Sequence, residues 1–246
     1  MNRAPSIIIS VDQVAVLRAS RNSREPDPVH FALAAELAGA SGIRAHLRID
    51  QKNIGEEDVA LLNRQVKTRF FLQASPHQDV LHLVNGIRPQ NLILAAERRD
   101  EKVDMGLDVT LLAGELKGML ANIDETQTRV FLFVDPQLDQ IKMAAKLGVR
   151  GVLINTRDFL VDGESALAAK KLERLKDAAR LSVKYGLETH LAGGIVAEKL
   201  PFVATIPGIT ALHLGHELVA RSLMMGVSAA VESYLTRIDR ITATRA

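Results

Sequence analysis

The chain has 246 residues, with 31 basic and 29 acidic side chains (net charge +2), 47 % apolar and 4 % aromatic residues, and no cysteine. The length suits one (β/α)8 barrel spanning 1–246 as a single domain. The charge balance argues against a nucleic-acid or membrane partner, and the missing cysteines exclude a disulfide framework or a thiolate metal site. No apolar run is long enough to span a bilayer and the first residues lack a signal-peptide core, so a cytoplasmic location is expected.

In chain order, the β-branched run Ser6–Val11 predicts strand 1. Asp12–Asn22 reads as a loop with a helical turn over the barrel top. Asp27-Pro28 is an N-cap followed by proline at the first helical position, so helix 1 starts there and stops at Gly39. Strand 2 is Gly42–Leu47, helix 2 Glu56–Val66 and strand 3 Arg69–Ala74. Ser75-Pro76 is expected to cap a third helix that ends near Gly86. Strand 4 is Asn91–Ala95, and the charged stretch Glu97–Asp108 reads as a long top loop. Val109–Ile123 and Pro136–Leu147 read as helices flanking strand 5, Arg129–Val134. Strand 6, Gly151–Asn155, precedes a top loop at Arg157–Ser165 and a long helix at Ala166–Tyr185. Strand 7 is Glu188–Leu191, a short helix covers Glu198–Thr205, strand 8 is Ala211–Leu214, and Glu217–Arg240 is one closing helix. Eight strands alternating with eight helical segments predict an α/β (β/α)8 TIM barrel with extra short helices at its mouth. An open doubly wound sheet would want a glycine-rich fingerprint after strand 1, where Asp12-Gln13 stands instead.

Functional side chains in this fold lie at the C-terminal ends of strands and in the loops that follow. Leu214-Gly215-His216 is a strand ending in glycine at a helix start, and Leu191-Ala-Gly-Gly194 is a similar turn after strand 7. Free N–H groups at a helix N-terminus, with the helix dipole behind them, favour an anion. Two such turns after strands 7 and 8, with Arg21 and Arg48 at the mouth, point to a phosphate site. The plainer reading is that glycine there only serves positive φ or close packing.

Period-two alternation places Ser10 with Asp12, and His46 with Arg48, on inward faces, and adds Gln73, His190 and His213. Asp12 could merely cap a turn, and His190 and His213 could be hydrogen-bonded core histidines. His46 and Arg48 at the end of a buried strand are costly without an anionic ligand or a carboxylate. His30, His77 and His82 fall on helices or their starts and read as solvated, and the basic run Lys170–Lys176 reads as an exposed helix face.

The motifs Ser10-Val-Asp-Gln-Val-Ala-Val-Leu-Arg18 with Arg21, Pro26-Asp-Pro-Val29, Ala40-Ser-Gly-Ile-Arg-Ala-His-Leu-Arg48, Gly106-Leu-Asp-Val109 and Leu214-Gly-His216 occur in order along nearly the whole chain. Together they resemble the pyridoxine 5'-phosphate synthase family of vitamin B6 biosynthesis. The resemblance implies condensation of 1-deoxy-D-xylulose 5-phosphate with 3-amino-2-oxopropyl phosphate, with loss of phosphate and water. It also implies a transferase without a cofactor or metal, with phosphorylated substrates and inorganic phosphate as small-molecule partners. The implied assembly is a homo-octamer with Asp12–Arg21 and Arg157–Leu172 at its interfaces.

Carried over by position, His46 is the general base. Gly194, Gly215, His216 and Arg21 match the amino-ketone phosphate site, with Ser10 in place of the family Asn. Asp12 and Arg48 match the sugar-phosphate side. Gln13 and Asn53 replace family histidines, and Lys102–Gly106 lacks the family Thr. Gln73 replaces a catalytic Glu, Gly193 a catalytic His, and Leu153 a Glu on strand 6. Each lost proton-transfer group typically costs a factor of about 10² to 10⁴, so the resemblance implies an impaired or altered reaction. His190 and His213, where the family has Asn, are candidate substitutes. The competing readings are a divergent paralogue acting on a related phosphorylated keto or amino compound, a non-catalytic phospho-ligand binder or structural partner of a true synthase, and a metal site built from His46, His190 and His213.

Overall fold

A computed structural model describes residues 4–77, 79–97, 105–161 and 166–243. Eight parallel strands close into a barrel in sequential order: β1 (Ser6–Ser10), β2 (Gly42–His46), β3 (Arg69–Ala74), β4 (Asn91–Leu94), β5 (Arg129–Val134), β6 (Gly151–Asn155), β7 (Glu188–Ala192) and β8 (Ile209–Leu214). The predicted TIM barrel is therefore the observed fold.

Side chains alternate between two apolar compartments, as a strand period of two requires. Ile7, Ile9, Ile43, Ala45, Leu72 and their counterparts pack outward beneath the helices. Ile8, Phe71, Ile93, Ala95, Phe131, Phe133, Leu153, Ala192 and Ala211 fill the barrel interior. Small residues admit large neighbours. A Cβ on Gly151 would lie 2.7 Å from the Phe131 ring and 2.2 Å from the Glu188 carbonyl oxygen, so only glycine lets β6 open there.

The surrounding helices are α1 (Asp12–Ser20), α2 (Pro28–Leu37), α3 (Glu56–Gln65), α4 (Val80–Ile87), α5 (Ala113–Leu120), α6 (Leu138–Lys146), α7 (Arg157–Val161), α8 (Ala166–Lys184), α9 (Leu200–Val203), α10 (His216–Met225) and α11 (Val227–Ala243). Asp27 caps α2 as expected, its carboxylate accepting from the Val29 N–H at 2.7 Å.

Five expectations need correction. Asp12–Ser20 is a helix, not a loop: it buries only Val14 and Ala15, too little for a periodic signal, and is pinned by Arg18 on the Asp58 carboxylate at 2.6 and 2.7 Å. Ser75-Pro76 does not cap α4; Asp79 does, accepting from the His82 N–H. The helix expected over Val109–Ile123 is confined to Ala113–Leu120, because Asp108 accepts from Thr110 and from the Leu111 N–H and turns the chain first. A short helix, α7, opens the stretch read as a loop after β6. The closing segment is two helices divided at Gly226, whose φ of +83° a helix cannot accommodate.

Candidate active site

His46, the last residue of β2, pairs in register with Gln73 of β3. Asp12, at the start of α1, holds the end of β2: its Oδ1 accepts from the His46 N–H at 2.7 Å. Its Oδ2 accepts from Ser10 Oγ at 2.6 Å and lies 3.9 Å from Arg44 Nη2. The carboxylate demanded by the His46–Arg48 pair is Glu97. Its Oε2 lies 3.6 Å from His46 Nε2, its Oε1 3.3 Å from Arg48 Nη2, and its oxygens accept from the Ile49 N–H at 3.2 Å. Burial works against ionising Glu97. Hydrogen bonding by His46 and the Ile49 N–H, with the charge of Arg48, outweighs it and holds the carboxyl below its usual range. Arg48 also reaches Asp50 at 3.2 Å.

The loops after β7 and β8 form the second half. Gly215 is the N-cap of α10 and provides no side-chain cap, so the first N–H groups of that helix have no partner within it. Gly194 has a φ of +70° and nothing within 4 Å of where a Cβ would be. Glu217 ties the two loops together, accepting from the Ala197 N–H at 2.8 Å through Oε2 and from Arg221 Nε at 2.7 Å through Oε1. A Cβ on Gly215 would lie 3.6 Å from Ser10 Cβ, in ordinary contact. Ser10 thus stands between the α10 N-terminus and Asp12, and Asp12 stands between Ser10 and His46. This continuous path can hold an anion at one end and exchange a proton at the other.

The remaining candidates contribute no hydrogen bond to that path. Gln73 is wholly buried, and neither of its amide atoms has a hydrogen-bond partner among the described residues. Leu153 packs inside the barrel with Phe131 and Phe133. Gly193 has a φ of +105°, and a Cβ there would sit 2.5 Å from Asn155 Oδ1. Asn155 in turn donates to Asp135 at 2.9 Å and accepts from the Arg157 N–H. Arg21 is exposed at the end of α1, Gln13 is half-buried on it, and Asn53 contributes its carbonyl oxygen to Arg18 at 2.8 Å. His216 is exposed as the first residue of α10, one position earlier than expected. Lys102–Asp104 lies outside the described residues.

His190 and His213 bond to each other in the barrel core, His190 Nδ1 to His213 Nε2 at 3.0 Å, between the rings of Phe71 and Phe131. They do not join His46 in a metal site: among the described residues no three His, Cys, Asp or Glu side chains are grouped to hold an ion.

Sequence reasoning missed Glu97, Arg44 and Glu188. The alternation Ile93, Ala95 continues one step beyond the strand to Glu97, and that extension was the available signal. Arg44 precedes His46 on the same face and is 8 % exposed. Glu188 shares a strand face with His190 two residues on, and that spacing is the signal for their 2.9 Å contact.

A family model described as "Pyridoxal phosphate biosynthesis protein PdxJ" matches residues 7–240. The chain belongs to this family. Among its relatives is the pyridoxine 5'-phosphate synthase of Syntrophotalea carbinolica, 35 % identical over 224 residues that cover 91 % of this chain and 94 % of that one. The pyridoxine 5'-phosphate synthase of Prochlorococcus marinus strain MIT 9303 is 36 % identical over 229 residues, covering 92 % of each. Outside the PdxJ family, the barrel alone is shared with KGPDC from Streptococcus mutans, at TM-score 0.64 and 13 % identity over 97 % of this chain and 99 % of that one. No helix among the described residues is long and apolar enough to cross a membrane.

Proposed function

We propose that the protein catalyses a pyridoxine 5'-phosphate synthase-type condensation with an altered acid–base set. The observation that carries this reading is the path from the α10 N-terminus through Ser10 and Asp12 to His46, with Glu97 behind the imidazole. The phosphate of 3-amino-2-oxopropyl phosphate binds at Gly194, Gly215 and His216, with Arg21 from the end of α1, and the sugar phosphate meets Arg48 and Asp12. His46 accepts a proton from the substrate, and the Glu97 carboxylate stabilises the imidazolium that results. Gln73 can orient a substrate group but cannot take its proton. Gly193 contributes backbone only, so the rate on the family pair is depressed.

The second reading is a divergent activity on a related phosphorylated keto or amino compound. The packing of Gly193 against Asn155 favours it, because that loop is built around the glycine and leaves no room for the family histidine. The family resemblance further supports a cytoplasmic homo-oligomer. Val16 and Leu17 of α1, each more than a third exposed, are apolar side chains that such an assembly would cover.

Incubation with both family substrates and assay for pyridoxine 5'-phosphate, alongside binding of each substrate alone, tests the proposal. Product formed slowly by folded protein supports it. Tight binding of the amino-ketone phosphate with no product supports the second reading. Binding of neither overturns both.

A further inference from the structure

A hydrogen-bonded line of side chains climbs the barrel interior from its N-terminal end. Arg69 Nη2 and Arg150 Nε lie 2.6 and 3.2 Å from the two oxygens of Glu188, the first residue of β7. Glu188 Oε1 lies 2.9 Å from His190 Nε2, and His190 Nδ1 lies 3.0 Å from His213 Nε2. His190 pairs in register with Ala211, so His213 stands one pleat nearer the mouth. Both rings are buried, at 0 and 3 % exposure, and the far nitrogen of the line, His213 Nδ1, has no hydrogen-bond partner among the described residues.

The protons in this line are ordered by its anchored end. Two guanidinium groups keep Glu188 an acceptor, so His190 donates through Nε2–H. Burial keeps His190 neutral against the opposing pull of Glu188, so its Nδ1 carries a lone pair. His213 must then donate through Nε2–H. Burial, with the His190 imidazole alongside and the charges of Arg44 and Arg69, opposes a second proton on that ring. Its Nδ1 is left as a lone pair. A neutral imidazole with one nitrogen committed as donor has only acceptance to offer at the other.

We propose that Glu188 and His190 fix the tautomer of His213, and that His213 Nδ1 is a specificity-determining acceptor for a hydroxyl or amine N–H of the bound substrate. His213 lies on β8 two residues before Gly215, about 7 Å deeper than the α10 N-terminus. A substrate whose phosphate sits at that N-terminus reaches this depth with a carbon chain of a few atoms. This inference rests on the phosphate reading given above. It makes His213 a positioning residue, not a base: its role is to accept a hydrogen bond, and a substrate lacking the donor leaves a buried nitrogen unpaired.

Histidine labelled with 15N, observed by long-range proton–nitrogen correlation in the full protein, reads the tautomers directly. Expected in the free protein are Nε2–H tautomers for both His190 and His213. In Glu188→Gln, where the amide can donate as well as accept, mixed tautomers are expected. An Nδ1–H tautomer at His213 in the wild type overturns the proposal. Two probes then separate it from the phosphate reading. Inorganic phosphate should bind without moving the His213 Nδ1 signal, and 3-amino-2-oxopropyl phosphate should bind and move it. His213→Asn should weaken the second probe about 3- to 10-fold and leave the first unchanged, the range expected for one uncharged hydrogen bond. Phosphate binding with an unmoved signal for the bound amino-ketone overturns the acceptor role alone. Failure of both probes to bind overturns the phosphate reading and the acceptor role together, whatever tautomer is seen.

Discussion

Gly193 and Asn155 compete for the same space: a Cβ on Gly193 would lie 2.5 Å from Asn155 Oδ1, and the same glycine has a φ of +105°. Asn155 cannot step aside freely, because it bonds to Asp135 and to the Arg157 N–H. Thr156 Oγ1 adds a bond at 2.8 Å to the Gly193 carbonyl oxygen. Placing histidine at 193 therefore meets two costs, a backbone conformation unfavourable by about 1–3 kcal/mol and a steric cost of similar size. Gly193→His is expected to lower stability by at least about 2 kcal/mol in urea unfolding, and to leave product formation no faster. Pairing it with Asn155→Gly should recover part of the stability, a non-additivity visible in a double-mutant cycle.

Gln73 tests whether the acid–base set is merely depleted. It neighbours His46 across the β2–β3 pair, and its amide has no partner among the described residues. Gln73→Glu returns a carboxyl group with little change in volume. Pyridoxine 5'-phosphate formation is expected to rise about 100-fold or more, within the range of about 10² to 10⁴ for a positioned proton-transfer group. Stability should fall as pH rises, since a buried carboxyl at this position resists ionisation. An unchanged rate in a folded variant would assign the deficit to other positions.

The barrel and the His46–Arg48 pair were legible because both rest on local patterns. Strand alternation separates Ile7 and Ile9 from Ile8, and the two cationic side chains at a strand end announce a missing anion. Glu97, which supplies that anion, lies past the end of β4 at Leu94, in a charged stretch that reads as loop, so only the inward alternation of Ile93 and Ala95 points to it. The Glu188–His190–His213 line was illegible for a different reason. It joins residues of two strands through a register shift between Thr189 and His190 of β7, and a single sequence does not give that offset. The clash at Gly193 depends on the rotamer of Asn155, another feature with no local signature.

Glu97 is expected to matter more than its place on a loop suggests. Its side chain is 3 % exposed and it serves His46, Arg48 and the Ile49 N–H together. Glu97→Gln removes the charge and keeps the shape. Loss of a charge-assisted contact costs about 1.5–3 kcal/mol, so kcat/KM on the family substrates should fall about 10- to 100-fold. Because the same carboxylate holds Arg48, KM for the sugar phosphate should rise together with the fall in kcat. A fall in kcat alone would mean that Arg48 keeps its place without Glu97.

Acid should unfold the protein in two stages set by the buried line. His190 and His213 both have folded pKa values below the ordinary 6.5. The unfolded chain therefore binds more protons than the native one below that pH, and stability falls as pH drops from about 6.5, by up to about 1.4 kcal/mol per pH unit for each ring. Glu188 acts lower. Burial raises its pKa, but the hydrogen bond from His190 and the charge and hydrogen bond of Arg69 pull it down to about 2 from 4.5. Its contribution is complete above about 4.5 and is lost as pH falls toward 2, about 3 kcal/mol in all. Urea midpoints measured from pH 7.5 to 2.5 should decline from about pH 6.5 downward for the wild type. In His213→Asn the decline between pH 6.5 and 5 should be shallower, and in Glu188→Gln the decline below pH 4.5 should flatten. Equal slopes in all three proteins would show that other groups govern acid stability.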